Sequence, residues 1–252
     1  MTEWRDDEAL GVVAIETEIE TETEIETETE TEICRGKRHG VLASGMAVYC
    51  AWQRRVRWSF MKEVHGTLVS GYVGAPGSLK KVECDTLQFA FDGIVGDRHR
   101  GFTRAAWDLT DKQPGGTERR NERQWSAVAH EDLQAVSKQL GLPAALRAGD
   151  VAVNLSISGV PEFSRLPRGT ELTFEGGVVL IVEEYNPPCS RMSQHIADHY
   201  HRANEEPLGH MDFIEASKFC RGLVGAVEVP GIVSVGEGVT VTQEVLPRWL
   251  RA

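Results

Sequence analysis

The sequence lacks the cysteine pairs that stabilise small secreted domains. Its five cysteines are odd in number, and none belongs to a CxxC pair. This pattern is typical of a reducing compartment rather than of a disulfide framework. The sequence also has no apolar run near the roughly 20 residues that a membrane-spanning helix needs. We therefore expect a cytoplasmic protein without a membrane partner.

The sequence also lacks the positive charge that nucleic-acid binding requires. Its formal net charge is −11 at pH 7. Residues 1–60 hold 13 acidic and 7 basic side chains, a net of −6, so residues 61–252 hold the remaining 25 and 20, a net of −5. Neither part carries the basic surface that binds a polyanion. We therefore expect no nucleic-acid partner.

Motifs of several common enzyme classes are absent. The chain has no phosphate-binding loop, no GxGxxG and no GxSxG, which disfavours a dinucleotide-binding fold and an α/β-hydrolase. Four histidines suggest a metal site, and two of them, His195 and His199, would share one helix face. However, no HExxH motif is present, and no second cysteine lies at zinc-finger spacing. Zinc is therefore disfavoured.

Residues 1–60 differ in composition from the rest of the chain. Within residues 15–33, Glu occupies every even position from 16 to 32. As a strand, this segment would carry like charges along one face and would have no apolar face to bury. We therefore expect residues 1–60 to form a low-complexity, disordered extension, followed by one domain over 61–252.

From Met61 onward the pattern is mainly that of short strands between Gly and Pro turns. Leu133, Val136 and Leu140 have helical spacing and indicate a helix that ends at Gly141. The composition predicts a mainly β domain with a few helices (α+β), built as a closed or nearly closed β-barrel with helical covers. Strands are predicted within 63–74, 81–93, 124–129, 150–160, 170–174, 178–185 and 222–245, and helices within 130–142, 191–203 and 212–219.

The stretch EEYNPPCSRMSQH, residues 183–195, presents a single cysteine. Two prolines stiffen the backbone before Cys189, and Ser190 is predicted to cap a helix that begins near Arg191. A helix N-terminus beside an arginine favours a thiolate, which attacks electrophiles, carries sulfur or ligates a soft metal. The alternative is a small buried residue in a turn. The residues alone leave both interpretations open.

The stretch FDGIVGDRHRGF, residues 91–102, is a second candidate site. Gly96 allows a tight turn, and Asp97, Arg98 and His99 follow it directly. An arginine in such a turn can fork onto a phosphate, assisted by backbone amides. The alternative is a structural turn whose charges pair with their neighbours.

Two more polar positions belong to predicted strands or their approaches. Arg123, in RRNERQWSAV, either faces the same anion or is solvated. Asn154, in VNLSISGV, lies among apolar residues. Because a buried amide must find partners, support of the fold is its expected role.

The order of these stretches resembles the MOSC domain, the module named for the C-terminal part of molybdenum-cofactor sulfurases. The resemblance covers about 85–245, and its most specific part is the late cysteine followed by the RGLVGAVEVPG ending. The stretches that carry it are GDRHRG, NERQWSAVAHEDL, VNLSISGV, LPRGTELTF, VVLIVEEYNPPC and RGLVGAVEVPGIVSVGEGVTV.

The resemblance implies a β-barrel in which Cys189 ligates the molybdenum of the molybdenum cofactor (molybdopterin) or carries sulfur. Family members that hold molybdenum in this way reduce N-hydroxylated substrates, with electrons from an external reductase. A non-catalytic sulfur carrier would instead act with a separate cysteine desulfurase. The expected cofactor-binding residues are Gly96, Asp97, Arg98, His99, Arg123 and Asn154, and we choose Arg98 from its charge as the anchor for the pterin phosphate.

The sequence departs from the family pattern in three places. Val153 stands where many relatives have Arg or Glu before the Asn-Leu pair. Residues 1–60 are too short for the pyridoxal-phosphate desulfurase domain of sulfurases. No lysine lies in a recognisable Schiff-base setting, so pyridoxal phosphate is not expected even though it is a label of the family. The N-terminal barrel of the amidoxime-reducing relatives is also missing, so the resemblance is to a stand-alone member.

Overall fold

The computed structural model describes residues 62–107 and 111–243, so the predicted extension over 1–60 lies outside the described residues. The described ranges contain strands, three α-helices and two short 3-10 helices, at Ala148–Val151 and Phe163–Arg165. The α-helices are α1 (His130–Gln139), α2 (Ser190–His199) and α3 (Asp212–Ala216). The strands are β1 (Lys62–Val73), β2 (Val82–Cys84), β3 (Thr86–Ala90), β4 (Gly93–Ile94), β5 (Thr103–Ala105), β6 (Glu118–Arg120), β7 (Trp125–Ala129), β8 (Leu155–Ser158), β9 (Glu171–Phe174), β10 (Val179–Tyr185), β11 (Leu223–Val229), β12 (Gly231–Ser234) and β13 (Gly238–Gln243).

Seven strands close into a barrel in the order β1, β13, β9, β10, β11, β7 and β8, and β8 pairs with β1 to complete the ring. Neighbouring strands are antiparallel except β7 and β8, which are parallel. Beside the barrel, β2 pairs with β1. A separate three-stranded sheet contains β12, β3 and β4, and a separate hairpin consists of β5 and β6. The mainly β class and the predicted barrel are confirmed.

Alternation of side chains along the strands builds the barrel core. In β9, Leu172 and Phe174 are buried while Thr173 between them is partly exposed, and Leu180 and Val182 repeat this pattern in β10. This period of two fits strands that pack one face inward. By contrast, all five residues of β7 are buried, because helices cover its outer face.

The three helices pack together against that face of the barrel. Met192 and Ile196 of α2 and Phe213 of α3 join a second buried cluster that includes Val128 of β7. We predicted α2 to extend to residue 203, but it ends at His199. The residues after His199 leave the helix, because Arg202 donates to the Leu140 carbonyl at 2.7 Å and to Asp212 at 2.6 Å. None of the described helices is long and apolar enough to cross a membrane.

Candidate functional site

Cys189 is exposed and lies directly before α2. Its backbone is extended, and its carbonyl oxygen accepts a hydrogen bond from the Ser193 amide at 3.0 Å. The helix therefore begins one residue earlier than predicted. Ser190 is its first residue rather than its cap, and no side chain caps this end. The prediction that Cys189 is presented at a helix N-terminus is confirmed.

Cys189 faces a cleft with a volume of about 260 Å³. The cleft walls bring together four of the predicted site residues, because the ends of several strands and the start of α2 meet at this point. The charged or reactive side chains on the walls include Arg98, His99, Arg104, Arg123, Cys189 and Arg221. Gly96, Asp97 and Asn154 are not among the wall residues.

Arg221 is the wall residue that sequence reasoning missed. It lies two residues before the start of β11 and is only 6% exposed. One terminal nitrogen, Nη2, donates to the Val151 carbonyl oxygen, while Nε and Nη1 are buried without a partner among the described residues. Burial lowers the pKa of Arg221 to about 10. Buried donors without acceptors are costly, so this guanidinium is suited to an anion.

Arg98 and Arg123 add positive charge to the same cleft. Arg123 donates to the Asn186 side-chain oxygen at 2.6 Å and lies 3.7 Å from the Glu184 carboxylate. The Arg98 guanidinium forms no hydrogen bond or ion pair with the part of the chain that the structure describes. Burial lowers the pKa of both arginines. The Arg98 guanidinium is therefore free to bind a ligand, whereas Arg123 Nη2 already donates to Asn186.

Asp97 lies beneath the cleft at the centre of a buried network. Its Oδ2 accepts from the Lys81 ammonium at 2.9 Å, the Gly74 amide at 2.9 Å and the Asn154 amide group at 2.8 Å. Its Oδ1 accepts from the His99 backbone amide at 2.9 Å and contacts the His99 ring Nδ1 at 3.1 Å. Burial alone would raise the pKa of Asp97, but the His99 hydrogen bonds and the Lys81 charge hold it well below its usual range.

The other two predicted residues also lie in supporting positions. Asn154 is 1% exposed, and its Oδ1 accepts from both the amide and the hydroxyl of Ser126. Gly96 follows β4 with φ +85°, a left-handed conformation that glycine adopts without strain. Because the oxygens of Asp97 and Asn154 are already engaged, we expect neither side chain to contact a bound cofactor directly.

The remaining arginines of this region are neutralised by carboxylates. Arg104 makes two hydrogen bonds of 2.7 Å to Asp111 and also pairs with Glu122. Arg119 pairs with the same two carboxylates, and its neighbour in the sequence, Arg120, pairs with Glu183 at 2.6 Å. Arg123 lines the cleft, whereas Arg119 and Arg120 do not.

Trp107 stands at the edge of the cleft, and 47% of it is exposed. The Arg104 guanidinium lies 4.5 Å from its ring centroid, and that of Arg123 lies 5.2 Å from it. Both distances fit cation–π contacts.

Among the described residues no group of three or more His, Cys, Asp or Glu side chains could hold a metal ion. The cleft therefore combines one exposed thiol with Arg98 and Arg221, neither of which forms an ion pair with the described residues.

Comparison with known proteins relates this arrangement to one family. The family model for the MOSC domain matches residues 110–240. YuaD of Bacillus subtilis (strain 168), named for metal-sulfur cluster biosynthesis, is 31% identical over 170 residues, which are 68% of this chain and 86% of YuaD. The crystal structure of Bacillus subtilis YuaD has a TM-score of 0.68 and 28% identity, covering 73% of this chain and 100% of that one. The crystal structure of YiiM from Geobacillus stearothermophilus has a TM-score of 0.45 and 15% identity, covering 74% and 78%.

Proposed function

The chain belongs to the MOSC domain family, and from this premise we propose that its cleft binds the molybdenum cofactor, with the Cys189 sulfur as a molybdenum ligand. One observation carries the proposal: an exposed thiol shares a cleft with Arg221, a buried arginine whose Nε and Nη1 have no hydrogen-bond partner among the described residues. A thiolate suits a soft metal, and a guanidinium suits phosphate or another oxyanion.

The walls of the cleft divide the task of holding such a ligand. Arg221 and Arg98 would bind its anionic oxygens, and Arg123, fixed by Asn186, would add a third positive charge. Lys81 and Asp97 would hold the loop that presents Arg98. The cofactor supplies two-electron redox chemistry when it is bound. The protein residues orient it and neutralise its charge.

Reduction of an N-hydroxylated substrate is the reaction that we propose for the loaded protein. The N–O bond breaks as two electrons and two protons are taken up, giving an amine and water. The electrons would come from an external reductase, because the sequence offers no CxxC cysteine set for an iron–sulfur cluster.

Replacing Cys189 by serine should remove most of the bound molybdenum, because a hydroxyl is a poor ligand for a soft metal. The full chain is expressed in a host that makes the cofactor, and the metal content of the purified protein is measured by mass spectrometry together with pterin fluorescence. Cys84→Ser is the matched control, since Cys84 lies in β2 away from the cleft walls. Equal molybdenum in wild type and Cys189→Ser would contradict the ligand role.

Sulfur carriage is the second candidate function, and it is supported by the exposure of Cys189 and by the metal-sulfur name of YuaD. The Cys189 thiolate would attack the outer sulfur of a desulfurase persulfide. The S–S bond of the donor would break, and the desulfurase cysteine would leave as a thiolate. After incubation with a cysteine desulfurase and cysteine, the intact mass should rise by one sulfur atom in wild type and not in Cys189→Ser. Sulfur uptake without molybdenum would favour the carrier over the oxidoreductase.

A further inference from the structure

The His99 ring is held by the buried network beneath the cleft. Its Nδ1 lies 3.1 Å from Asp97 Oδ1, and its backbone amide donates to the same oxygen at 2.9 Å. Asp97 is in turn paired at 2.9 Å with Lys81, and both of these side chains are fully buried. An ionised carboxylate can only accept hydrogen bonds. Nδ1 therefore carries the ring proton of the neutral imidazole.

The other ring nitrogen, Nε2, is free. It has no hydrogen-bond partner among the described residues, and it is not one of the side-chain nitrogens and oxygens that are buried without a partner. The His99 side chain, 38% exposed, lines both the cleft of Cys189 and an adjoining cavity of about 240 Å³. Because Nδ1 faces Asp97, Nε2 lies on the opposite side of the ring, away from the buried network, and the His99 side chain lines the cleft that Cys189 also lines.

We propose that His99 is the proton-transfer residue of the cleft, and that Asp97 and Lys81 are positioning residues that fix its tautomer. The inference rests on the proposed function for the reaction that it serves. In the reduction of R–NH–OH to R–NH₂ and water, the imidazolium Nε2–H gives its proton to the departing hydroxyl oxygen as the N–O bond breaks. The second proton comes from solvent, the two electrons come from the external reductase, and the neutral ring is reprotonated from solvent.

The charges around His99 set the pH range of this role. Burial lowers the pKa of His99, Asp97 opposes this shift, and Lys81 and Arg98 add to it. Across the cavities the ring faces Arg104 and Arg123, each with its carboxylate partner, and Cys189 and Arg221. A lowered pKa makes the imidazolium a stronger acid. Because this pKa lies below the usual histidine value of about 6.5, the imidazolium, which is the proton donor, forms only as the pH falls below that value.

The position of the proton can be measured by nitrogen-15 NMR on the full chain without cofactor. The His99 signals are identified by their loss in His99→Gln. We expect a neutral ring protonated on Nδ1 in wild type, with a titration midpoint below that of an exposed histidine. In Asp97→Asn the proton should move at least partly to Nε2. A wild-type ring protonated on Nε2 would overturn the proposal, and this measurement does not depend on whether the Asp97 variant folds.

Activity of the molybdenum-loaded protein supplies a second readout, with reduced methyl viologen as electron donor and an aryl hydroxylamine as substrate. The wild-type rate should rise as the pH falls through the midpoint found by NMR. His99→Gln should lose this dependence and roughly 10²–10⁴-fold of the rate. His65→Gln, an exposed histidine on β1, is the matched control. An unchanged profile in His99→Gln would sink the proton-transfer role alone. A wild type without molybdenum would sink the proposed function and with it the reaction that His99 is proposed to serve, whereas the NMR result on the tautomer would stand without cofactor.

Discussion

At the scale of single residues, the cleft depends on charges that are buried beneath it. Lys81 and Asp97 form an ion pair in which neither side chain reaches solvent. Removing one member of such a pair leaves the other charge buried without compensation. The same carboxylate fixes His99 and Asn154. Stability and the geometry of the site are therefore linked through one aspartate.

Asp97→Asn should lower the free energy of unfolding by about 3–5 kcal/mol at pH 7, because it leaves the Lys81 ammonium buried without its counter-charge. Asp92→Asn is the matched control. Asp92 pairs with Arg100, whose side chain is 40% exposed, so its loss should cost only about 0–1 kcal/mol. Urea unfolding of both variants measures the difference. Equal losses of unfolding free energy in the two variants would show that burial of the Lys81–Asp97 pair does not increase the cost of breaking it.

The cost of Asp97→Asn should shrink in acid. The pKa of Asp97 in the folded protein lies well below its usual range, whereas the pKa of an aspartate in an unfolded chain is about 3.9. Below about pH 5 the unfolded state takes up this proton before the folded state does, so the stabilisation by Asp97 is progressively lost. Urea unfolding at pH 7 and at about pH 3 should therefore give a gap between variant and wild type that is smaller in acid by about 1 kcal/mol. A constant gap would contradict the assignment.

The cleft residues that the sequence predicted are identified by their neighbours along the chain, whereas those that it missed depend on contacts between distant segments. Cys189 was found because its prolines and the following helix are its direct neighbours in the chain. Arg98, His99 and Arg123 were found as charges beside turns and strands. Arg221 has no such local signal: it meets Cys189 only because β11 pairs with β10, which leads to the cysteine. The burial of Lys81 against Asp97 was missed for the same reason.

At the scale of elements, the start of β11 positions Arg221. Gly222 has φ +91°, and a Cβ there would collide with the Ala127 carbonyl oxygen of β7. Its amide donates to the Ser164 hydroxyl at 3.0 Å. Only glycine lets the chain turn so close to the neighbouring strand. The guanidinium of the preceding residue is thereby kept at the cleft wall.

Gly222→Ala should therefore destabilise the protein more than the same change at Gly236. Gly236 also has φ +91°, but no atom lies near its missing Cβ. The control should cost about 1–2 kcal/mol for its backbone conformation alone. Gly222→Ala should cost roughly 1–3 kcal/mol more, because a neighbouring strand must move. Chemical denaturation compares the two, and equal losses would mean that β7 yields to the added methyl group.

The strand and helix pattern was largely predictable because it depends on neighbours along the chain. The strands predicted within 170–174 and 178–185 correspond to β9 and β10, and the helical spacing within 130–142 corresponds to α1. The end of α2 was not predictable, since it depends on Arg202 reaching Leu140 and Asp212. The parallel pairing of β7 with β8 was also missed, because strand order is set by contacts between distant segments.

At the scale of the whole molecule, the barrel begins with the first described residue. β1 starts at Lys62, which lies opposite Gln243 at the end of β13. All of the described barrel strands therefore lie within the predicted domain over 61–252.

A fragment covering 61–252 should unfold at the same midpoint temperature as the full chain and should show the same alkylation rate at Cys189. The reason is that every described pairing of β1 is retained. A shorter fragment that begins at Thr67 is the matched control, because it loses the pairs from Lys62 to Gly66 with β13. Thermal unfolding followed by circular dichroism compares the three chains. A clearly lower midpoint for 61–252 would show that the preceding residues stabilise the domain.

The seam between β1 and β13 also constrains how the protein is made. His65 and Thr240, which are 175 positions apart, contact each other across this seam. During synthesis the first strand must wait for the last to leave the ribosome, and until then its hydrogen-bonding edge has no partner. Such distant pairings slow folding and leave nascent chains open to aggregation. Overproduction at low temperature with added chaperones should therefore raise the yield of folded protein.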